Sequence, residues 1–203
     1  MPGQYDSLKL DARPHSTTQP VCSLLELTAH SSEAIIAAAR ELLLEYGQFV
    51  AAQKGVATFC YGALKQEAAD LPHSYLDQSG GAILATVPVA VRAPIQVQVQ
   101  GRTQVQERPA GFVAWRSLPN PMNAWELKRL WTRPEARGLQ IGRALVQAVI
   151  ARARATGKTA IYLDTAPDAM CAAHQLYLQM GFEECPCYNG RAQNGILYMR
   201  KCL

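Results

Sequence analysis

The sequence predicts an α/β domain built on one mixed sheet. Three observations carry this. Short apolar segments bounded by Gly, Pro or Asn succeed one another through the middle of the chain, the pattern of a strand meander. A strand–helix–strand succession after residue 125 requires a parallel pair somewhere in the sheet. Helically spaced apolar positions precede the meander.

Residues 1–20 carry Pro2, Gly3, Pro14 and Pro20 without periodicity and read as a flexible leader, so the folded domain is expected over 21–203. Val21 to Thr28 is apolar enough for a strand, and Ser31 or Ser32 can cap the helix after it. That helix is expected over 33–52, where Ile35, Ile36, Ala39, Leu42, Leu43, Tyr46 and Val50 share helical spacing. A second helix is expected over 62–70, ended by Pro72. Strands are expected at 82–87, 110–117 and 125–131. Between the first two, IQVQVQGRTQVQ alternates strictly around Gly101-Arg102 and predicts a protruding hairpin, whose edge could pair with a second copy in a homodimer.

From residue 133 the pattern becomes loop, helix, strand, helix. Ile141, Ala144, Leu145, Ala148 and Val149 give a helix over about 140–155 one apolar face, with Arg152 and Arg154 near its end and Gly157 as its stop. AIYLDT at 160–165 reads as a buried strand, Asp168 to Met180 as a helix closed by Gly181, and residues 196–203 as a last strand.

Composition excludes several classes. With 49% hydrophobic and 18% charged residues the chain is far from a disordered composition. No apolar run reaches the ~18 residues of a membrane span. Asp6, Lys9, Asp11 and Arg13 stand where a signal peptide needs its apolar core, so a cytoplasmic location is expected. In that compartment the six scattered cysteines stay thiols. The net charge is +4 but contains no basic run of five, so nucleic acid is not an expected partner.

The chemistry concentrates in LWTRPEARGLQIGRALV, residues 130–146. Pro134 breaks a strand, and Gly138 and Gly142 bracket a helix start with Arg133, Arg137 and Arg143 around it. The first N–H groups of a helix lack internal partners and attract an anion, a phosphate above all. Glycine lets the backbone approach such a ligand, and arginine adds planar donors. An ordinary loop with a solvated basic rim fits the same residues. The spacings of Walker and Rossmann phosphate loops and of a nucleophile elbow are absent, and Cys185-Pro186-Cys187 lacks the spacing of a redox or zinc pair, so no metal is expected.

Two motifs then give a resemblance. Arg137-Gly138-Leu139-Gln140-Ile141-Gly142 is similar to the R/Q-x-x-G-x-G/A loop of the GNAT family of acyl-CoA-dependent N-acetyltransferases, and Ala173-x-x-Leu176-Tyr177-x-x-x-Gly181-Phe182 to its later A-x-x-L-Y-x-x-x-G-F segment. The order matches that family, most clearly from Glu126 to Phe182. The resemblance implies a mostly antiparallel sheet with a splayed central strand pair and flanking helices. It also implies acetyl-CoA as cosubstrate, with the pantetheine arm beside Leu130, Trp131 and Thr132. The pyrophosphate would lie on the main chain of Arg137, Gly138, Leu139, Gln140, Ile141, Gly142 and Arg143. The N–H near Leu130 would face the thioester carbonyl. Tyr177 matches the tyrosine that protonates the departing thiolate, a task suited to a phenol of pKa about 10.

The implied reaction is direct attack of a primary amine, on a small molecule or a peptide, in a ternary complex. Glu126, read as an exposed strand-end carboxylate, is the candidate base through water. Glu41, Glu45 and Tyr188 could contact a cationic amine, while His174 reads as an exposed helix residue. A non-catalytic acyl-CoA-binding regulatory module is the alternative. Two positions depart from the family pattern. Gln140 replaces a glycine and gives up the freedom to adopt positive φ, and Met170 stands where many relatives have Asn. Residues 133–158 hold six basic side chains and one acid, a local 6 − 1 = +5, where a phosphorylated cofactor would sit.

Overall fold

The computed structural model describes residues 22–53, 61–89, 106–121, 123–190 and 192–203. The expected leader and most of the Gln/Val hairpin lie outside them. A short strand β1 (Ser23–Glu26) leads into helix α1 (Glu33–Ala51), then α2 (Tyr61–Ala69) and a single turn, α3 (His73–Leu76). Strands β2 (Gly81–Val89), β3 (Gln106–Leu118) and β4 (Ala124–Thr132) come next. Helix α4 (Ile141–Ala155), β5 (Ala160–Thr165), α5 (Cys171–Gln179), β6 (Glu183–Glu184) and β7 (Leu197–Cys202) complete the chain. Sequence pattern predicts neither α3 nor the two-residue β6, and α5 starts three residues later than its apolar spacing suggests.

These seven strands form one sheet in the order β1-β2-β3-β4-β5-β7-β6. Every pair is antiparallel except β4 with β5. Strand alternation sorts the side chains onto two faces. Ile83, Ala85, Val113, Trp115, Trp125, Leu127, Ile161 and Leu163 pack under Ile141, Leu145 and Val149 of α4 and Tyr177 of α5. Ala82, Leu84, Phe112 and Ala114 pack under Ile36, Ala39, Leu42 and Leu43 of α1 and Leu64 and Ala68 of α2. Each helix therefore contributes one apolar stripe to a two-sided core.

Two irregularities shape the middle of the sheet. The parallel β4–β5 pairing covers only Ala124↔Ala160, Trp125↔Ile161 and Glu126↔Tyr162, after which the strands diverge. Backbone groups of residues 127–132 that point toward β5 are left without a ladder partner. On the other side, the β3–β4 register passes from Phe112↔Trp131 to Ala114↔Lys128, so β4 carries one extra residue. Arg129 accommodates it with φ +58°, forming a β-bulge. Such an insertion exchanges the faces of the strand residues beyond it. Leu127 packs under α4, whereas Trp131, four residues on, packs under α1.

Candidate functional site

A cleft of about 400 Å3 occupies the gap between the diverging strands. Leu127 to Thr132 of β4 form one wall, Asp164 and Thr165 of β5 the other, and Gly142, Leu176 and Tyr177 close it from α4 and α5. At its end the backbone turns from β4 through a 3-10 turn, Pro134–Ala136, into α4. The first α4 bond runs from the Ala144 N–H to the Gln140 carbonyl at 3.0 Å. Among the described residues the N–H groups of Gly138, Gln140, Ile141, Gly142 and Arg143 make no hydrogen bond.

Gln140 corrects the sequence reading. It does take positive φ, +58° with ψ 19°, in the left-handed region that glycine would occupy without cost. The loop thus keeps its turn with a side chain at that position. Gly138 needs its own freedom, at φ +84°. A Cβ on Gly142 would lie 3.4 Å from the Leu176 side chain and 3.6 Å from Thr132 Oγ1, narrowing the cleft.

Of the three arginines expected around a phosphate, only Arg137 faces the cleft, with its guanidinium 5.7 Å from the centre of the Trp131 ring. Arg133 is buried and turned to α1, bonding Glu41 at 2.6 Å, Glu45 at 2.7 Å and the Pro109 carbonyl at 3.1 Å. That engages Glu41 and Glu45, and neither lines the cleft. Glu45 also accepts from Trp131 Nε1 at 3.2 Å. The Arg143 side chain bonds Gln179 at 2.6 Å and does not line the cleft, so this position has only its backbone N–H to offer an anion there. Arg152 pairs with Glu26 at 3.2 Å. The local +5 therefore divides between holding the fold and marking the cleft, with its larger share in the fold.

Tyr177 is buried, packs its ring on Phe182 at 5.6 Å and lines the cleft. Burial, then the proximity of Tyr46 and of the Asp164 carboxylate, pushes its phenol well up, so the proton is retained at neutral pH. Met170 lines the same cleft. His174 is half-buried rather than exposed, and its Nε2 is enclosed without a partner among the described residues.

Glu126 differs most from expectation. Its side chain is 1% exposed, because β4 is still flanked by β3 and β5 at this point. Arg116 donates to it through Nε at 2.6 Å, Tyr188 through its hydroxyl at 2.9 Å, and Lys128 Nζ lies 3.4 Å away. Burial alone would raise this carboxyl, but Lys128, Arg116 and the Tyr188 hydrogen bond outweigh it and hold it below the ordinary carboxylate range. A group so fully engaged is a weak proton acceptor.

Glu126 lies in the wall of a second cavity, of about 640 Å3, formed by the end of β3, the loop after it and residues 188–190. Among the described residues the two cavities share Lys128 and Asp164, one on each lip of the gap. Asp164 is exposed, and its carboxylate makes no hydrogen bond or ion pair among the described residues, while its backbone stays in the ladder with Tyr198 of β7. Sequence reasoning misses it, since within AIYLDT it is one polar position of an alternating strand. No group of three or more His, Cys, Asp or Glu is placed to hold a metal ion among the described residues. None of their helices is long and apolar enough to cross a membrane.

The geometry fits an acyl-CoA. A strand edge that has parted from β5 suits an arm carrying two amides, the helix tip suits a diphosphate, and Leu127, Leu130 and Leu176 give the cleft apolar sides. Comparison with known proteins agrees. Residues 91–182 match the family described as Acetyltransferase (GNAT) family. An uncharacterized N-acetyltransferase of Schizosaccharomyces pombe is 37% identical over 90 residues, which are 44% of this chain and 54% of that protein. The chain thus spans about half the length of that curated relative. Among solved structures, an acetyltransferase from Streptococcus agalactiae superposes with a TM-score of 0.63 at 17% identity, covering 90% of this chain and 99% of the other. An N-acetyltransferase from Thermoplasma acidophilum in complex with coenzyme A does so with a TM-score of 0.55 at 16% identity, over 90% and 99%.

Proposed function

This chain belongs to the acetyltransferase (GNAT) family, and on that premise we propose that it is an N-acetyltransferase that moves an acetyl group from acetyl-CoA to a primary amine by direct attack in a ternary complex. The observation that carries this reading is the meeting of two cavities at Lys128 and Asp164, beside the part of β4 that no longer pairs with β5. An acyl-CoA supplies an activated thioester carbonyl and a thiolate leaving group. Backbone of Leu130, Trp131 and Thr132 would run beside its arm. The main chain of Arg137, Gly138, Leu139, Gln140, Ile141, Gly142 and Arg143, with the Arg137 side chain, would hold its phosphates.

The chain's own groups then divide the work. The bulge at Arg129 leaves the neighbouring Leu130 out of the β3 register, and its N–H would donate to the oxygen on which negative charge develops. The amine nitrogen bonds to the acyl carbon as the carbon–sulfur bond breaks. Before attack the ammonium gives one proton to the Asp164 carboxylate, the acceptor at the junction, which passes it to solvent. Tyr177 gives its phenolic proton to the departing sulfur, and the second nitrogen proton passes through Asp164 and solvent to restore the phenol. Glu126 serves by holding Arg116, Lys128 and Tyr188 in the wall.

Incubation with acetyl-CoA and a panel of amino acids, polyamines, aminoglycosides and peptides, with thiol release as the readout, tests the reading. Stoichiometric thiol and acetylamine are expected for at least one class. Tight CoA binding without any transfer would replace the enzyme by the regulatory acyl-CoA-binding module.

A further inference from the structure

The second cavity carries opposite charges at its two ends, and their arrangement bears on what it accepts. Arg116 spends its Nε on the buried Glu126, at 2.6 Å. Neither of its terminal nitrogens makes a hydrogen bond among the described residues, and the side chain is 38% exposed in the cavity wall. A guanidinium pinned by one nitrogen presents the remaining edge as a fixed fork, the geometry that matches a carboxylate. Pinning also removes part of the entropy cost of ordering the side chain on binding.

The other end holds Asp164, an exposed carboxylate without a partner among the described residues, where the cavity opens into the cleft. The two are related by the sheet. Arg116 lies opposite Glu126, Glu126 opposite Tyr162, and Asp164 is two residues beyond Tyr162 on the same face. Two strand spacings and two residues of rise put the Cα atoms about 12 Å apart. The reach of an Arg and an Asp side chain leaves room between them for a molecule of a few bonds.

Resting on the N-acetyltransferase reading, we propose that the acceptor is a free amino acid, with its carboxylate on the Arg116 fork and its amine at Asp164. Charge argues against the competitors. A diamine would place its second cation against Arg116 and Lys128. A peptide N-terminus would offer a neutral carbonyl where the site presents a cationic fork.

The reacting step conserves atoms. The ammonium first loses one proton through Asp164 to solvent. The free amine nitrogen then bonds to the acetyl carbon as the carbon–sulfur bond breaks and the sulfur takes the proton of Tyr177, and the second nitrogen proton returns through Asp164 and solvent to restore the phenol.

The test compares, for one enzyme, amino acids with their own carboxamides and with the matching decarboxylated amines, by thiol release at saturating acetyl-CoA. The acids should show kcat/KM at least about 10-fold above their amides, carried by KM, as expected for a charged hydrogen-bonded pair. Arg116→Lys should move the acid-to-amide ratio toward one, and Asp164→Asn should lower kcat for acid and amide alike. Amides or decarboxylated amines acetylated as well as the acids would overturn the proposal and leave the acetyltransferase reading standing. Absence of CoA binding by calorimetry would overturn both. CoA binding without transfer, and without amino-acid binding to the CoA complex, would also overturn the proposal.

Discussion

Glu67 and Arg129 are joined by two parallel hydrogen bonds of 3.0 Å, Nε to Oε1 and Nη2 to Oε2. The Tyr75 hydroxyl donates to the same carboxylate, and the guanidinium lies 5.8 Å from the centre of the Tyr46 ring. Glu67 stands on α2, and Arg129 is the left-handed residue of the β4 bulge. An ion pair thus fixes the side chain of the one residue whose backbone departs from the strand beside the cleft.

Glu67→Gln should therefore destabilise the protein by about 2–3 kcal/mol, because it leaves a largely buried guanidinium without its counter-charge. Urea unfolding measures the loss. If the pair also fixes the bulge, turnover falls while acetyl-CoA affinity stays near that of the unmodified protein. An unchanged urea midpoint would show that solvent screens the pair.

Stability should fall on acidification. Glu67 and Glu126 are both held below the ordinary carboxylate range, despite burial, by hydrogen bonds and nearby cations. Below about pH 4.3 the unfolded chain takes up protons that the folded state resists, so unfolding gains as pH drops. The contribution is complete above that pH and lost as pH falls through the lower folded values. Urea midpoints measured from pH 7 to 3 should decline, and a Glu67→Gln, Glu126→Gln double variant should decline less steeply.

Tyr177→Phe should lower kcat on the order of 10²-fold while changing acetyl-CoA affinity little. The phenol is pushed up by burial, Tyr46 and Asp164, so no alkaline decline in kcat from this group is expected below about pH 10. Equal losses in turnover and affinity would make the tyrosine a packing residue.

Gln140→Gly should stabilise the protein by about 0.5–1 kcal/mol, since it relieves a left-handed backbone. Acetyl-CoA affinity should be retained, because the backbone donors do not depend on the side chain. Gln140→Val should do the opposite in thermal melts, a β-branched residue being the worst occupant of that conformation.

Much of the architecture is legible in periodicity. Apolar spacing locates α1, α2 and α4 to within a residue or two, and AIYLDT becomes β5 over its full length. These elements are written in local patterns, with one face of each helix apolar. The features that escape depend on pairing between distant segments. Nothing around Arg129 announces a bulge, since its cause is a register difference between β3 and β4. Glu126 looks like a strand-end charge in the sequence because Arg116, ten residues earlier, and Tyr188, 62 residues later, meet it only in three dimensions. Asp164 stands out only because β5 has already left β4 when the chain reaches it. Gln140 escapes for another reason, because propensity disfavours the conformation that the loop imposes.

The two cavities touch at two residues, and this sets how the protein can change. A substitution at Lys128 or Asp164 bears on both cavities at once. Replacements at Arg116 or in residues 188–190 touch one wall, and replacements at Gly142 or Leu176 the other. Under the proposed function, selection can therefore retune the choice of amine without disturbing the handling of the acyl donor, provided the narrow waist between them is left alone.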